Sequence, residues 1–211
     1  LKYDIIVLLE MVKMFIGKYN QAAWVTYAGT LSSLIGIFLA VKGSFRAAVI
    51  CLVISGVCDM FDGKVARLEK NRTEEDKNYG VQIDSLSDTV CFVVFPIILF
   101  LSMGMCEWDN AIIYAIYGLA GIIRLAYFNI TTADSNKAIK SYIGLPVTYA
   151  AMIFPLAFLL SYLIKNSIFV IIYNIITLLV AILFILKIKV PKPRLVSSIL
   201  LLLIAIIVSI I

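Results

Sequence analysis

Long apolar runs separated by short polar stretches set the pattern of this chain. Seven runs stand out, at about 23–41, 47–66, 80–103, 111–130, 146–164, 167–187 and 194–211. Each is close to the ~20 residues a helix needs to cross a bilayer. The last is the shortest and reads as a tilted or interfacial segment, set off by Pro191 and Pro193 on either side of Lys192. Ahead of them, Lys2, Asp4, Glu10, Lys13 and Lys18 are interleaved with Ile5, Leu8, Leu9, Val12 and Phe15 at helical spacing. That predicts an amphipathic helix lying in the membrane interface over residues 1–20, neither a span nor a cleavable leader. The expected fold is an all-α integral membrane protein. It is a polytopic helical bundle of six core spans, with an extra C-terminal span and the N-terminal interfacial helix. Residues 1–211 then form one membrane domain, 1–20 being the amphipathic start and 23–211 the bundle.

Composition agrees. The chain is 63% hydrophobic with a mean hydropathy of +1.04, too apolar for a soluble domain of this length. The net charge of +5 therefore implies anionic lipid headgroups, with no need for nucleic acid. With the N-terminus inside, 15 of the 18 Lys and Arg fall on inner segments, leaving only Lys42, Arg46 and Lys165 outside. This bias predicts a cytoplasmic N-terminus in a cell membrane. The Glu107–Asn110 turn falls outside, where Trp108 suits the interface.

Two absences narrow the chemistry. There is no histidine, which removes the usual general base, the usual zinc ligand and any Ser-His or Cys-His pair. Cys51, Cys58, Cys91 and Cys106 form no C-x-x-C motif and lie in or beside apolar runs, so buried thiols packing as small hydrophobes are expected.

The remaining polar signal is concentrated. Asp59, Asp62, Gly63, Ala66 and Arg67 share one helical face by their spacing, and Gly80, Asp84 and Asp88 repeat every fourth residue on another. Two helices facing each other along these stripes bring four carboxylates together. Unpaired, each charge costs roughly 2.5–3.5 kcal/mol at a membrane helix centre, so the cluster calls for a cation. Carboxylates without His or Cys partners select hard cations such as Mg²⁺, Mn²⁺ or Ca²⁺, and four can hold two ions. Two such ions favour chemistry on a diphosphate. Gly63 and Ala66 leave room for a ligand beside the helix, and Arg67 offers a fork for phosphate. The plainer alternative, helix-end carboxylates paired with Lys64, Arg67 and Lys70, accounts poorly for two acidic stripes in register with small residues. The polar stretch 68–79 reads mainly as a solvated connector.

Asp59-x₂-Asp62-Gly63-x₂-Ala66-Arg67-x₁₂-Gly80-x₃-Asp84-x₃-Asp88 resembles the signature of the CDP-alcohol phosphatidyltransferases. The family usually has eight or nine residues between the Arg and the Gly; this chain has twelve, about one helical turn more, in the polar loop. Ile83–Phe92 with Pro96, Arg124-Leu-Ala-Tyr-Phe-Asn129, Tyr142-Ile-Gly-Leu-Pro146 and Lys189-Val-Pro-Lys-Pro193 are similar to the phosphatidylserine synthase branch. Ser33 stands where the family often has Asn.

The resemblance implies an enzyme that transfers the phosphatidyl group of CDP-diacylglycerol to the hydroxyl of L-serine, giving phosphatidylserine and CMP. It implies that Asp59, Asp62, Asp84 and Asp88 ligate two divalent cations, Mg²⁺ or Mn²⁺, with Asp88 also the catalytic general base. Asp62, Gly63, Ala66, Arg67 and Gly80 are then expected to bind the CDP-lipid, and Arg124, Asn129 and Lys140 the acceptor. For Arg124, snorkelling to lipid phosphate is the competing reading, and for Lys140 it is the stronger one. The family tends to homodimers, and Ala115, Gly118 and Gly121 suit close helix contacts within or between chains. Alternatives are another acceptor (glycerol 3-phosphate or inositol phosphate), an archaeal-type ether lipid donor or, outside the class, a divalent-cation transporter with carboxylates spread along a path through the membrane.

Overall fold

The computed structural model describes residues 16–69, 72–133 and 141–191, with 203, 207 and 208 besides. Helix α1 (Gln21–Val41) begins at Asn20, whose side chain accepts from the Ala23 N–H at 2.9 Å. It ends in a tight turn at Gly43, where φ is +80°. Helix α2 (Phe45–Leu68) folds straight back on α1. The contact is close because α1 presents Thr26, Gly29, Ser33, Gly36 and Ala40 as a buried stripe of small side chains. A Cβ on Gly29 would lie 2.9 Å from Cys58 Cβ, and one on Gly36 2.4 Å from the Phe95 ring. Hydroxyls bond across the same seam: Ser33 with Ser55 at 2.7 Å, and Ser55 to the Gly29 carbonyl at 2.8 Å. Ser33 thus keeps a buried polar contact although it is shorter than Asn.

Helix α3 (Glu74–Asp88) starts in a capping box between Thr73 and Asp76. It widens into a π turn at Thr89–Val94 before continuing as α4 (Phe95–Ser102). Pro96 has no N–H to offer the carbonyl of Phe92, four residues back. The hydroxyl of buried Tyr117 donates to that carbonyl. Tyr117 belongs to α5 (Trp108–Ala133), which packs tightly on the π turn. A Cβ on Gly121 would lie 2.6 Å from Val93, and one on Gly118 3.5 Å from Ile97. These two glycines therefore serve contacts within the chain, while Ala115 is exposed.

A short antiparallel ribbon follows, β1 (Ser141–Ile143) pairing with β2 (Lys189–Pro191). It brings the connection after α5 alongside the exit of the last described long helix. Between the strands, a 3₁₀ turn (Val147–Tyr149) leads into α6 (Ala150–Leu159) and a second 3₁₀ turn (Leu160–Tyr162), and α7 spans Asn166–Ile185. Gly144, at φ +77°, lets its backbone approach the end of α7 so closely that a Cβ would sit 2.8 Å from the Phe184 carbonyl. Away from the aspartates the core is aromatic, with Phe100, Tyr117, Phe154 and Tyr173 in ring contact and fully buried.

Six of the seven expected spans thus coincide with helical segments of an all-α membrane bundle. Four, Gln21–Val41, Glu74–Ser102, Trp108–Thr131 and Asn166–Ile185, are long and apolar enough to cross a membrane. Helix α2 matches them in length but carries the charges of the Asp59–Arg67 stripe. The seventh run lies outside the described residues except Leu203, Ile207 and Val208, which are helical. Most of the interfacial segment, residues 1–15, also lies outside them. One expectation fails: Cys106 is exposed in the turn before α5, where no described helix covers it, whereas Cys91 is buried and Cys51 and Cys58 are half-buried.

Candidate active site

The hairpin α1–α2 and helix α3 bring the two acidic stripes face to face. Because α2 and α3 run antiparallel, Asp59 meets Asp88 at the deeper level and Asp62 meets Asp84 nearer the polar loop. All four line one small cavity, together with Thr26, Ser55 and Ser87. Carboxylate oxygens of Asp59, Asp84 and Asp88 lie within 4.8 Å of one another. Asp62 and Asp88 are each only 8% exposed.

Hydroxyls from α1 brace the cluster. Thr26 Oγ1 donates to Asp62 Oδ2 at 2.8 Å, and Thr30 pairs with Ser87, next to Asp88. The ion pairs among the described residues lie elsewhere: Lys18 with Glu75 and Asp76, Arg72 with Glu69, and Lys77 with Glu74. Hydrogen bonds to Glu75 and Asp76 hold the Lys18 ammonium above the ordinary lysine range, tying the segment before α1 to the start of α3. A half-buried, all-oxygen donor set converging from two helices fits a hard divalent cation better than a soft one.

A larger cavity of about 240 Å³ adjoins the cluster, sharing Thr26, Asp62 and Asp84 with it. Gly63, Ala66 and Gly80 line it, as their spacing predicts. Its cationic side chains are Arg72 and Lys77. Arg67 is exposed, with Nη1 3.7 Å from where a Cβ on Gly63 would stand, and lies beside the cavity rather than in its wall. Arg72 and Thr26 are the residues that sequence reasoning missed. Thr26 was open to discovery, since it continues the small-residue stripe of Gly29, Ser33 and Gly36. Arg72 sits in the polar loop, where no periodicity points at its target.

The acceptor candidates divide. Arg124 is 5% exposed, donates through Nε to the Leu145 carbonyl at 3.2 Å, and stacks over the Phe128 ring. It is held inside the bundle and does not reach out to lipid headgroups. Asn129 accepts from Ser85 Oγ at 2.9 Å, one residue from Asp84, so α5 contacts α3 beside the carboxylates. Lys140 lies outside the described residues.

At the opposite end of α2, a second cavity is walled by Phe45, Arg46, Met103, Phe158 and Tyr162, with Arg46 Nε donating to the Tyr162 hydroxyl at 3.1 Å. A cationic, aromatic wall there is poorly suited to a path for divalent cations. The carboxylates are concentrated at one end, as a binding site needs and a transit path does not.

An archaetidylserine synthase of Methanothermobacter thermautotrophicus is 34% identical over 122 residues, 57% of this chain and 50% of the relative. A CDP-diacylglycerol–serine O-phosphatidyltransferase of Helicobacter pylori is 34% identical over 143 residues, 64% of this chain and 55% of the relative. Another of the same name, from Methanocaldococcus jannaschii, is 31% identical over 169 residues, covering 79% of this chain and 72% of the relative. The chain thus spans about half the length of the first two. The pattern that defines the CDP-alcohol phosphatidyltransferases matches residues 19–211, nearly the whole chain. With four aspartates converging from the two helices that carry this signature, the chain belongs to the CDP-alcohol phosphatidyltransferase family.

Proposed function

We propose that this protein transfers the phosphatidyl group of CDP-diacylglycerol to the hydroxyl of L-serine, releasing CMP. The observation that carries the proposal is the shared cavity of Asp59, Asp62, Asp84 and Asp88, adjoining a larger one walled by Gly63, Ala66 and Gly80. The names of the relatives, serine phosphatidyltransferases and an archaetidylserine synthase, supply the acceptor.

In this reading the four aspartates hold two divalent cations, Mg²⁺ or Mn²⁺. When bound, these neutralise the diphosphate and stabilise charge on the departing CMP. Gly63 and Ala66 let the nucleotide lie close to α2. Asp88, at the deepest level of the cluster, accepts the proton of the serine hydroxyl as its oxygen bonds to the lipid-side phosphorus. The bond from that phosphorus to the bridging oxygen breaks, and CMP keeps the electron pair. Asn129, fixed against Ser85 one residue from Asp84, stands on the side where the serine would lie. Arg124 adds positive potential on the same side and orders the Leu145 connection.

The polar end of the bundle, with residues 68–79 and the aspartates, faces the cytoplasm of a prokaryotic cell, where a CDP-lipid and free serine meet. The protein acts as a homodimer. The test is direct: purified protein, CDP-diacylglycerol, Mn²⁺ and labelled serine should yield labelled phosphatidylserine and equimolar CMP. Product with glycerol 3-phosphate or inositol phosphate, and none with serine, would reassign the acceptor. The similarity to an archaetidylserine synthase favours one variant of the reading, a donor with ether-linked chains. Parallel assays with diacyl and dialkyl CDP-lipids separate the two.

A further inference from the structure

Arg72 has an unusual position for a residue of a polar loop. Its side chain is only 18% exposed and forms part of the wall of the 240 Å³ cavity. Gly80 makes the room: a Cβ there would lie 2.7 Å from Arg72 Nη2. Among the described residues the guanidinium is held by long contacts, Nη1 to the Ala66 carbonyl at 3.4 Å, Nη2 to the Asp76 carbonyl at 3.3 Å, and Nε to Glu69 Oε2 at 3.7 Å. All three exceed the usual range for a strong charge-assisted bond, about 2.7–2.9 Å. Nε and Glu69 Oε2 are both buried without a hydrogen-bond partner. The other cation of the cavity, Lys77, is already engaged with Glu74 at 2.6 Å.

A guanidinium with a buried Nε and spare donors therefore shares a cavity with Asp62 and Asp84 without forming an ion pair with either. That arrangement suits a ligand that is anionic toward Arg72 and reaches the carboxylates through cations. We infer that Arg72 is a phosphate-binding residue of the nucleotide site, gripping the diphosphate of the CDP-linked donor from the side opposite the aspartates, and that Gly80 is small in order to house it. The inference rests on the reading of this cavity as a nucleotide site. It does not depend on which alcohol is the acceptor. Arg67, exposed beside Gly63, then has the lesser part in holding phosphate.

The test uses the full chain in detergent with Mn²⁺ and free CDP as the probe, so that no acceptor is involved. Replacing a charge-assisted hydrogen bond to phosphate should weaken CDP binding about ten- to a hundredfold in Arg72→Gln. Arg72→Lys, which keeps the charge but loses the fork, should fall in between. In turnover assays the KM for the CDP-lipid should rise while kcat stays near that of the unaltered protein. Arg46→Gln, at the far end of α2, should change neither. CDP bound as tightly by Arg72→Gln as by the unaltered protein, at equal melting temperature, overturns the inference; if Arg72→Gln does not fold, undiminished binding by Arg72→Lys does so. An unaltered protein that binds no CDP would sink the nucleotide site itself, whereas CDP binding without serine transfer would leave Arg72 in place and remove only the acceptor.

Discussion

Thr26 on α1 donates its hydroxyl to Asp62 on α2 at 2.8 Å, so the first helix, which carries none of the acidic residues, aims one of the four carboxylates. Loss of such a supporting hydrogen bond typically weakens metal binding or activity about 10–100-fold. Thr26→Val should raise the Mn²⁺ concentration needed for half-maximal turnover by about tenfold at least, and Thr26→Ser should restore most of it. A metal titration of the two variants checks this.

Asp88→Asn keeps the size of the side chain but cannot accept a proton. It should abolish turnover while nucleotide binding largely persists. Asp62 lines both the acidic cavity and the larger one, so Asp62→Asn should weaken binding and turnover together. Calorimetry with CDP beside CMP-release assays distinguishes the two, and full activity in either variant would refute the assigned roles.

Chelation should stop turnover, and Mn²⁺ or Mg²⁺ should restore it, because the donor set is all oxygen. Carboxylates bind metal only when ionised, so acidification should raise the Mn²⁺ requirement before it unfolds the protein. Activity measured against Mn²⁺ at several pH values would reveal that order.

Tyr117→Phe removes the hydroxyl that donates to the Phe92 carbonyl, which Pro96 cannot serve. Buried hydrogen bonds between membrane helices are worth about 0.6 kcal/mol on average and up to ~1.7, so a loss of about 1 kcal/mol in stability is expected. A lower melting temperature in detergent is the readout.

Gly36→Ala sets a methyl group against the Phe95 ring and Cys51, where the space is 2.4–2.8 Å. Overpacking of this kind costs typically 1–3 kcal/mol. The variant should melt earlier, yet whatever folds should keep its KM for CDP-lipid, because Gly36 lies two turns beyond Gly29 and away from the nucleotide cavity.

The helices were legible because a bilayer demands ~20 apolar residues per span, and the aspartates because two short stripes repeat at three and four residues. What escaped reading depends on contacts between distant segments. Arg72 reaches Gly80 through the course of a loop. The ribbon pairs Tyr142 with Val190 across two intervening helices. The π turn after Asp88 changes the hydrogen-bond ladder without changing hydropathy, and Pro96 was its one trace. Gly118 and Gly121 looked equally suited to contacts within or between chains, and only the nearness of Ile97 and Val93 assigns them to the former.

The glycine-lined seam between α1 and α2 has a bearing on ionic size. Asp59 and Asp62 ride on a hairpin whose two halves mesh closely along Gly29 and Gly36. Asp84 and Asp88 belong to a helix that passes into a π turn directly after Asp88. Accommodation of a wider ion such as Ca²⁺ in place of Mg²⁺ would fall to α3 alone, moving Asp88 away from the point at which a hydroxyl must be met. Binding the wrong ion and losing the reaction would then be one event.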